Sequence, residues 1–131
     1  MNQERSNRIV GIGLDLVEVE RFKEVLSRQG ERFIKRVFTT TEQDYCSAKK
    51  EPAMFYAARF AAKEAVAKAF RTGIGIELGW LDIEVAHDTE GAPIIQLLGK
   101  GMELAKRRGV TEILVSLTHT STNAAANVIL Q

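Results

Sequence analysis

The chain has 131 residues, enough for one domain with a hydrophobic core of its own. With 45% hydrophobic and 27% charged residues it has a globular composition. Its net charge of +1 lacks the global basic excess of a nucleic-acid binder, so any polyanion site must be a local patch.

The N-terminal MNQERSNR is polar and has no apolar stretch of the signal-peptide kind, and residues 1–8 are expected to be flexible. No run approaches the ~20 apolar residues that cross a bilayer. RIVGIGLDL predicts a short strand near residues 8–13, with Asp15 opening a helix. In VEVERFKEVLSRQG, Phe22, Val25 and Leu26 fit a helical period, Gly30 is a natural stop, and ERFIKRVF reads as a second helical piece. TTTEQDYCSAKK sets threonine before Glu42 and Asp44, acidic residues that a helix N-terminus favours. Its cysteine, Cys46, is the chain's only one. That excludes an internal disulfide and a cysteine zinc site, and fits a reduced, half-buried thiol in a cytoplasmic protein.

Pro52 suits a first helical turn. From there Met54, Ala57, Ala58, Ala61, Ala65 and Ala69 keep a three-and-four spacing, which predicts one long helix ended by Gly73 and Gly75. WLDIEVAH alternates Leu81, Ile83 and Val85 with polar neighbours; DTEG is a turn and APIIQLL a second strand, together a hairpin. GKGMELAKRRG is a short amphipathic helix with a basic last turn. EILVSLTHTSTNAAANVILQ reads as two strands around a polar turn near residues 119–123. No repeat or linker interrupts the chain. The order predicts a single α+β domain over 1–131, an antiparallel sheet packed with one long central helix and shorter ones.

Five stretches could carry chemistry. In GIGLD, Leu16 stands where a dinucleotide fingerprint needs a third glycine, so Asp15 is either a helix N-cap at a tight turn or a hard oxygen ligand for Mg²⁺. The long helix carries Arg59, Lys63, Glu64 and Lys68 along one side. Arg59 and Lys63 are one turn apart, a like-charge spacing that costs roughly 0.2–0.5 kcal/mol. Either these are solvated charges with an exposed Glu64–Lys68 pair, or an anion lies over Arg59 and Lys63 with a metal between it and Glu64. In VSLTHTSTN, His119 is a turn histidine by default, because no G-x-S-x-G elbow supports a serine triad. His87, beside Asp88, lacks the partners of a zinc site. GIGIELGW has glycines but no G-K-[ST]. Arg21, Arg28, Arg32 and Arg36 form a rough stripe, either a solvated face or a docking face for an acidic protein.

Taken in order, GIGLDLVEVER, FAAKEAVAKAF followed by RTGIGI, and VSLTHT closely resemble the bacterial holo-acyl-carrier-protein synthase family, the small phosphopantetheinyl transferases. The resemblance runs from about residue 9 to 130. It implies a phosphopantetheinyl transferase-like fold. It also implies an enzyme of fatty acid biosynthesis that moves the phosphopantetheine arm of coenzyme A onto a serine of apo acyl carrier protein, releasing adenosine bisphosphate. Mg²⁺ would be required, with Asp15 and Glu64 as its protein ligands. Lys63 would stand beside the pyrophosphate, with Arg59 in support, and His119 near the coenzyme. Glu64 or a metal-held water would be the base that deprotonates the serine, ahead of His119. Arg21, and by a weaker match Arg28, would meet the acidic carrier. The resemblance further implies a homotrimer with active sites between subunits. On this reading, coenzyme phosphates over Arg59 and Lys63 are what let the two cations tolerate each other. Two alternatives remain: a coenzyme A or nucleotide binder without transfer, and a trimeric docking module.

Overall fold

An alanine-rich helix forms the axis of the fold. In the computed structural model, which describes residues 8–131, the elements follow in the order β1 (Gly11–Glu18), α1 (Val19–Val37), α2 (Thr40–Ser47), α3 (Pro52–Phe70), a 3-10 turn (Trp80–Asp82), β2 (Ile83–His87), β3 (Pro93–Leu97), α4 (Lys100–Arg108), β4 (Ile113–His119) and β5 (Asn123–Leu130). The flexibility expected of residues 1–8 falls, but for Arg8, outside the described residues.

The strands make two antiparallel sheets: a three-stranded one in the order β1-β5-β4 and the hairpin β2-β3. Alternation along β1 turns Gly11, Gly13, Asp15 and Val17 inward, and Ile12, Leu14 and Leu16 outward. β5 likewise buries Ala124, Ala126, Val128 and Leu130. These small inner residues let α3 lie close against the sheet. A Cβ on Gly13 would fall on the Ala65 carbonyl oxygen, and one on Gly11 on that of Ala69. The paired glycines of GIG therefore serve close backbone packing rather than a strand-to-helix turn. Asp15 is not a helix cap either. It sits within β1, opposite Ala126, because β5 pairs with the strand as far as Glu18.

α3 is buried nearly all round. Ala57 and Ala58 belong to an aromatic cluster with Phe22, Phe33, Phe38 and Tyr56, while its later residues pack under the sheets with Leu78, Ile83 and Leu104. α3 ends on Arg71 in the left-handed region (φ 64°), ahead of the glycines expected to end it. Arg108 donates to the Phe70 carbonyl at 2.7 Å and so caps the final turn. α1 is two helical pieces hinged at Gly30, whose φ of 58° and ψ of −141° suit only glycine. α2 opens with a capping box: the Thr39 hydroxyl accepts from the Glu42 amide, and the Glu42 carboxylate accepts from the Thr39 amide. Leu81, expected in a strand, lies in the 3-10 turn. Cys46 is fully rather than half buried, and burial pushes its thiol up to about 12. No described helix is long and apolar enough to cross a membrane.

Candidate functional site: two pockets and a buried ion pair

The residues singled out along α3 do not share one side of it. Arg59 is 3% exposed and Lys63 not at all, while Glu64 is half-buried and Lys68 exposed. Positions five apart on a helix point roughly 140° apart, so Arg59 and Glu64 open onto different surfaces.

The first surface is a groove of about 520 Å³. Asp15 comes to it from the inner face of β1, Glu64 from α3, and Arg21 from the first turns of α1. Phe22, Phe33 and Phe60 supply its apolar wall. Lys68 does not pair with Glu64. It turns to Asp15, with Nζ 2.8 Å from Oδ1 and 3.1 Å from the Leu14 carbonyl. Burial, then the neighbouring Asp15 charge, pushes the Glu64 carboxyl above its ordinary range, and Lys68 opposes the shift. A half-buried carboxyl raised by a neighbouring carboxylate suits a site that takes up a cation. Among the described residues no group of three or more His, Cys, Asp or Glu is placed to hold a metal. A pair of hard oxygen donors in an open groove fits Mg²⁺, which takes one or two carboxylates and completes its shell with waters and substrate phosphates.

The second surface is a pocket of about 250 Å³ whose lining includes Tyr45, Phe55, Arg59, His87, Pro93 and His119. His119 ends β4 on the inner face, 4.9 Å edge-on from the Phe55 ring. Arg59 Nη2 lies 2.9 Å from His87 Nε2 and its guanidinium 4.4 Å over the Tyr45 ring. Arg59 and His119, both expected at the coenzyme, thus meet in one pocket, away from Asp15 and Glu64.

Lys63 joins neither surface. Its ammonium is 2.7 Å from Glu42 Oε1, and it donates to the carbonyls of Val37 at 2.8 Å and Trp80 at 3.0 Å. Glu42 is equally buried, and its second oxygen accepts from the Val85 amide at 2.7 Å. Burial holds Lys63 below the usual lysine pKa, with Glu42 opposing. This corrects two expectations. Lys63 is a structural tie between α2, α3 and β2 rather than a pyrophosphate contact, and Glu42, not a bound phosphate, is what lets Lys63 sit one turn from Arg59.

Arg28 separates from Arg21. It gathers with Arg32, Arg36 and Gln29 around the Gly30 hinge, lining a basic hollow of about 570 Å³. Sequence reasoning read Lys68 as a possible surface partner of Glu64, Glu42 as a helix-start acid and His87 as a histidine without zinc partners, and it gave Tyr45 no role. Lys68 was legible four residues after Glu64; the pairings Glu42–Lys63 and Arg59–His87 join elements far apart in the chain, which no spacing encodes.

Comparison with known proteins accords with this fold. Residues 11–126 match the family model of the 4′-phosphopantetheinyl transferase superfamily. The chain is 43% identical over 121 residues to the holo-[acyl-carrier-protein] synthase of Syntrophus aciditrophicus, covering 92% of this chain and 94% of the relative. It superposes on the Helicobacter pylori holo-[acyl-carrier-protein] synthase solved with coenzyme A at a TM-score of 0.82, with 31% identity over 92% of this chain and 99% of that one. On the Neisseria meningitidis holo-[acyl-carrier-protein] synthase the TM-score is 0.89, with 29% identity over 95% and 99% of the two chains. The chain belongs to the 4′-phosphopantetheinyl transferase superfamily, and it is a transferase.

Proposed function

We propose that the protein is a holo-acyl-carrier-protein synthase: with Mg²⁺ it transfers phosphopantetheine from coenzyme A to a serine of apo acyl carrier protein and releases adenosine 3′,5′-bisphosphate, in the cytoplasm, as a single domain over 1–131. The observation that carries this reading is the meeting of Asp15 and Glu64, from two separate elements, in a groove that also presents Arg21, with Lys68 paired to Asp15.

In that groove Asp15 and Glu64 would hold Mg²⁺. When bound, the ion supplies charge neutralisation at the pyrophosphate, the main requirement of phosphoryl transfer. Lys68, freed from Asp15, takes the role first read onto Lys63 and donates to the leaving phosphate. Glu64 is the candidate base for the serine hydroxyl. Arg21, whose side chain is 80% exposed at the rim, meets the acidic carrier, and Arg28, with Arg32 and Arg36, offers it a second basic surface at the Gly30 hinge.

Coenzyme A carries a phosphate monoester on its ribose as well as the pyrophosphate. The Arg59–His119 pocket suits the monoester, since it offers cationic and aromatic groups instead of a carboxylate pair. The two pockets face different sides of α3 within one subunit. A homotrimer with sites between subunits would bring one subunit's groove to its neighbour's pocket. The outer face of the three-stranded sheet supports such an assembly, since Ile12, Leu14 and Leu16 stand about two-thirds exposed beside Leu114.

The test is the release of adenosine 3′,5′-bisphosphate from coenzyme A, followed by chromatography. Release that needs both apo carrier protein and Mg²⁺ supports transfer. Firm coenzyme binding without release would make the chain a coenzyme-binding module.

A further inference from the structure

His87 has no role in the chemistry described so far, yet it is the closest side-chain partner of Arg59. A guanidinium has only donors to offer, so the 2.9 Å contact requires a lone pair on His87 Nε2. The ring is therefore neutral, with its proton on Nδ1. Arg59's other hydrogen bond is a long one, 3.4 Å to the Phe55 carbonyl. Its buried Nε has no hydrogen-bond partner among the described residues. Leaving a buried donor unmade is costly, and a charged one more so. Arg59 thus has donor capacity to give to an anion that enters the pocket.

The charged and titratable groups around His87 come from every element packed against it. Arg59 reaches it from α3. Tyr45 stacks on it from α2, ring centres 4.3 Å apart, and Lys49, just past α2, lies 4.4 Å over the Tyr45 ring. His119 lines the same pocket from β4. Asp88 follows His87 in the β2–β3 turn, where its carboxylate already accepts from the amides of Glu90 and Ala92. Burial, then Arg59 and Lys49, hold the imidazole below its ordinary pKa, with Asp88 opposing. An entering phosphate would reverse that balance, since it brings close to two negative charges to a ring surrounded by cations.

We propose that His87 is a further binding residue of this pocket and acts as a proton-taking one: a phosphate monoester displaces the Arg59–His87 contact, and His87 takes one proton from solvent at Nε2, so that both side chains donate to phosphate oxygens. The inference rests on the reading that the occupant is the monoester of coenzyme A. It makes coenzyme affinity rise as pH falls, up to about tenfold per pH unit between the ring's free and bound pKa values, until the phosphate itself protonates near pH 6.

Calorimetric titration of the full chain with coenzyme A, in buffers of different ionisation enthalpy, reads the proton directly. The wild type should take up a proton and bind about five- to tenfold tighter at pH 6.5 than at pH 8. With dephospho-coenzyme A, which lacks the monoester, both effects should vanish in the same protein. His87→Gln keeps an acceptor for Arg59 but cannot titrate, and should bind coenzyme A without proton uptake or pH slope. Firm binding that is proton-silent, or uptake that persists in His87→Gln or with dephospho-coenzyme A, would overturn the role of His87 alone. No binding of coenzyme A at any pH would overturn it together with the proposed function.

Discussion

Folding and the proposed function place opposite demands on Glu64. Its carboxyl is raised above its ordinary value of 4.5 by burial and by Asp15. A carboxyl whose folded pKa lies above its unfolded one costs stability once it ionises. The cost is absent below pH 4.5, grows through the raised value, and is full above it. Glu64→Gln should therefore stabilise the metal-free protein at neutral pH, by only about 0.5 kcal/mol because the side chain is partly solvated. The same substitution should abolish the rise in melting temperature that Mg²⁺ gives the wild type. Turnover of Glu64→Gln or Asp15→Asn should fall at least about a hundredfold with the circular dichroism spectrum unchanged. An unaltered response to Mg²⁺ in either variant would remove the metal assignment. The role proposed for Arg21 concerns the other substrate. Arg21→Ala should raise the apparent KM for carrier protein about tenfold while leaving that for coenzyme A within twofold. Equal changes in both would place Arg21 elsewhere in the reaction.

At the scale of elements, α3 is the part on which both pockets depend, and its seat is set by two devices. One is the glycine pair of β1, which lets strand and helix backbones touch. Gly13→Ala puts a methyl onto the Ala65 carbonyl and should destabilise by about 3 kcal/mol in urea unfolding, since neither backbone can yield locally. The other is the buried tie from Lys63 to Glu42. Lys63→Met leaves Glu42 charged and buried without its cation, at a cost of about 3–5 kcal/mol. Lys63→Met with Glu42→Gln, which removes the buried charge and keeps an acceptor for the backbone amides, should recover part of that loss. If the single variant were as stable as the wild type, the tie would not hold the fold.

These elements also show what was legible in the sequence. Apolar periodicity gave the order of strands and helices and the long axis of α3, and Gly30, read as a helix stop, marks the hinge of α1, because those signals are local. Asp15 and Glu64 were legible as a pair through the resemblance, and the groove brings them together. The fate of Arg59 and Lys63 was not legible. On a helical wheel they look like solvent charges, and only the packing of α2 and β2 over that side of α3 buries them against His87 and Glu42.

For the whole molecule, the proposed trimer divides each site between neighbours. Light scattering should then give three times the 14.6 kDa chain mass, and Leu14→Glu on the open sheet face should yield a monomer with little turnover. Mixing inactive Asp15→Asn subunits with inactive Arg59→Ala subunits, unfolded and refolded together, should restore about a quarter of wild-type activity, the share of interfaces that pair two intact halves. No recovery in a refolded mixture of full trimer mass would place each site within one subunit.

The most direct measurement of the central claim is the intact mass of apo acyl carrier protein after incubation with this protein and coenzyme A, with Mg²⁺ and with a chelator. A gain of ~340 Da, one phosphopantetheine arm, is expected with Mg²⁺ and none with the chelator, since the proposed carboxylate pair works only with a metal bound. An unchanged carrier mass from well-folded protein with Mg²⁺, or the same gain in chelator, would contradict it.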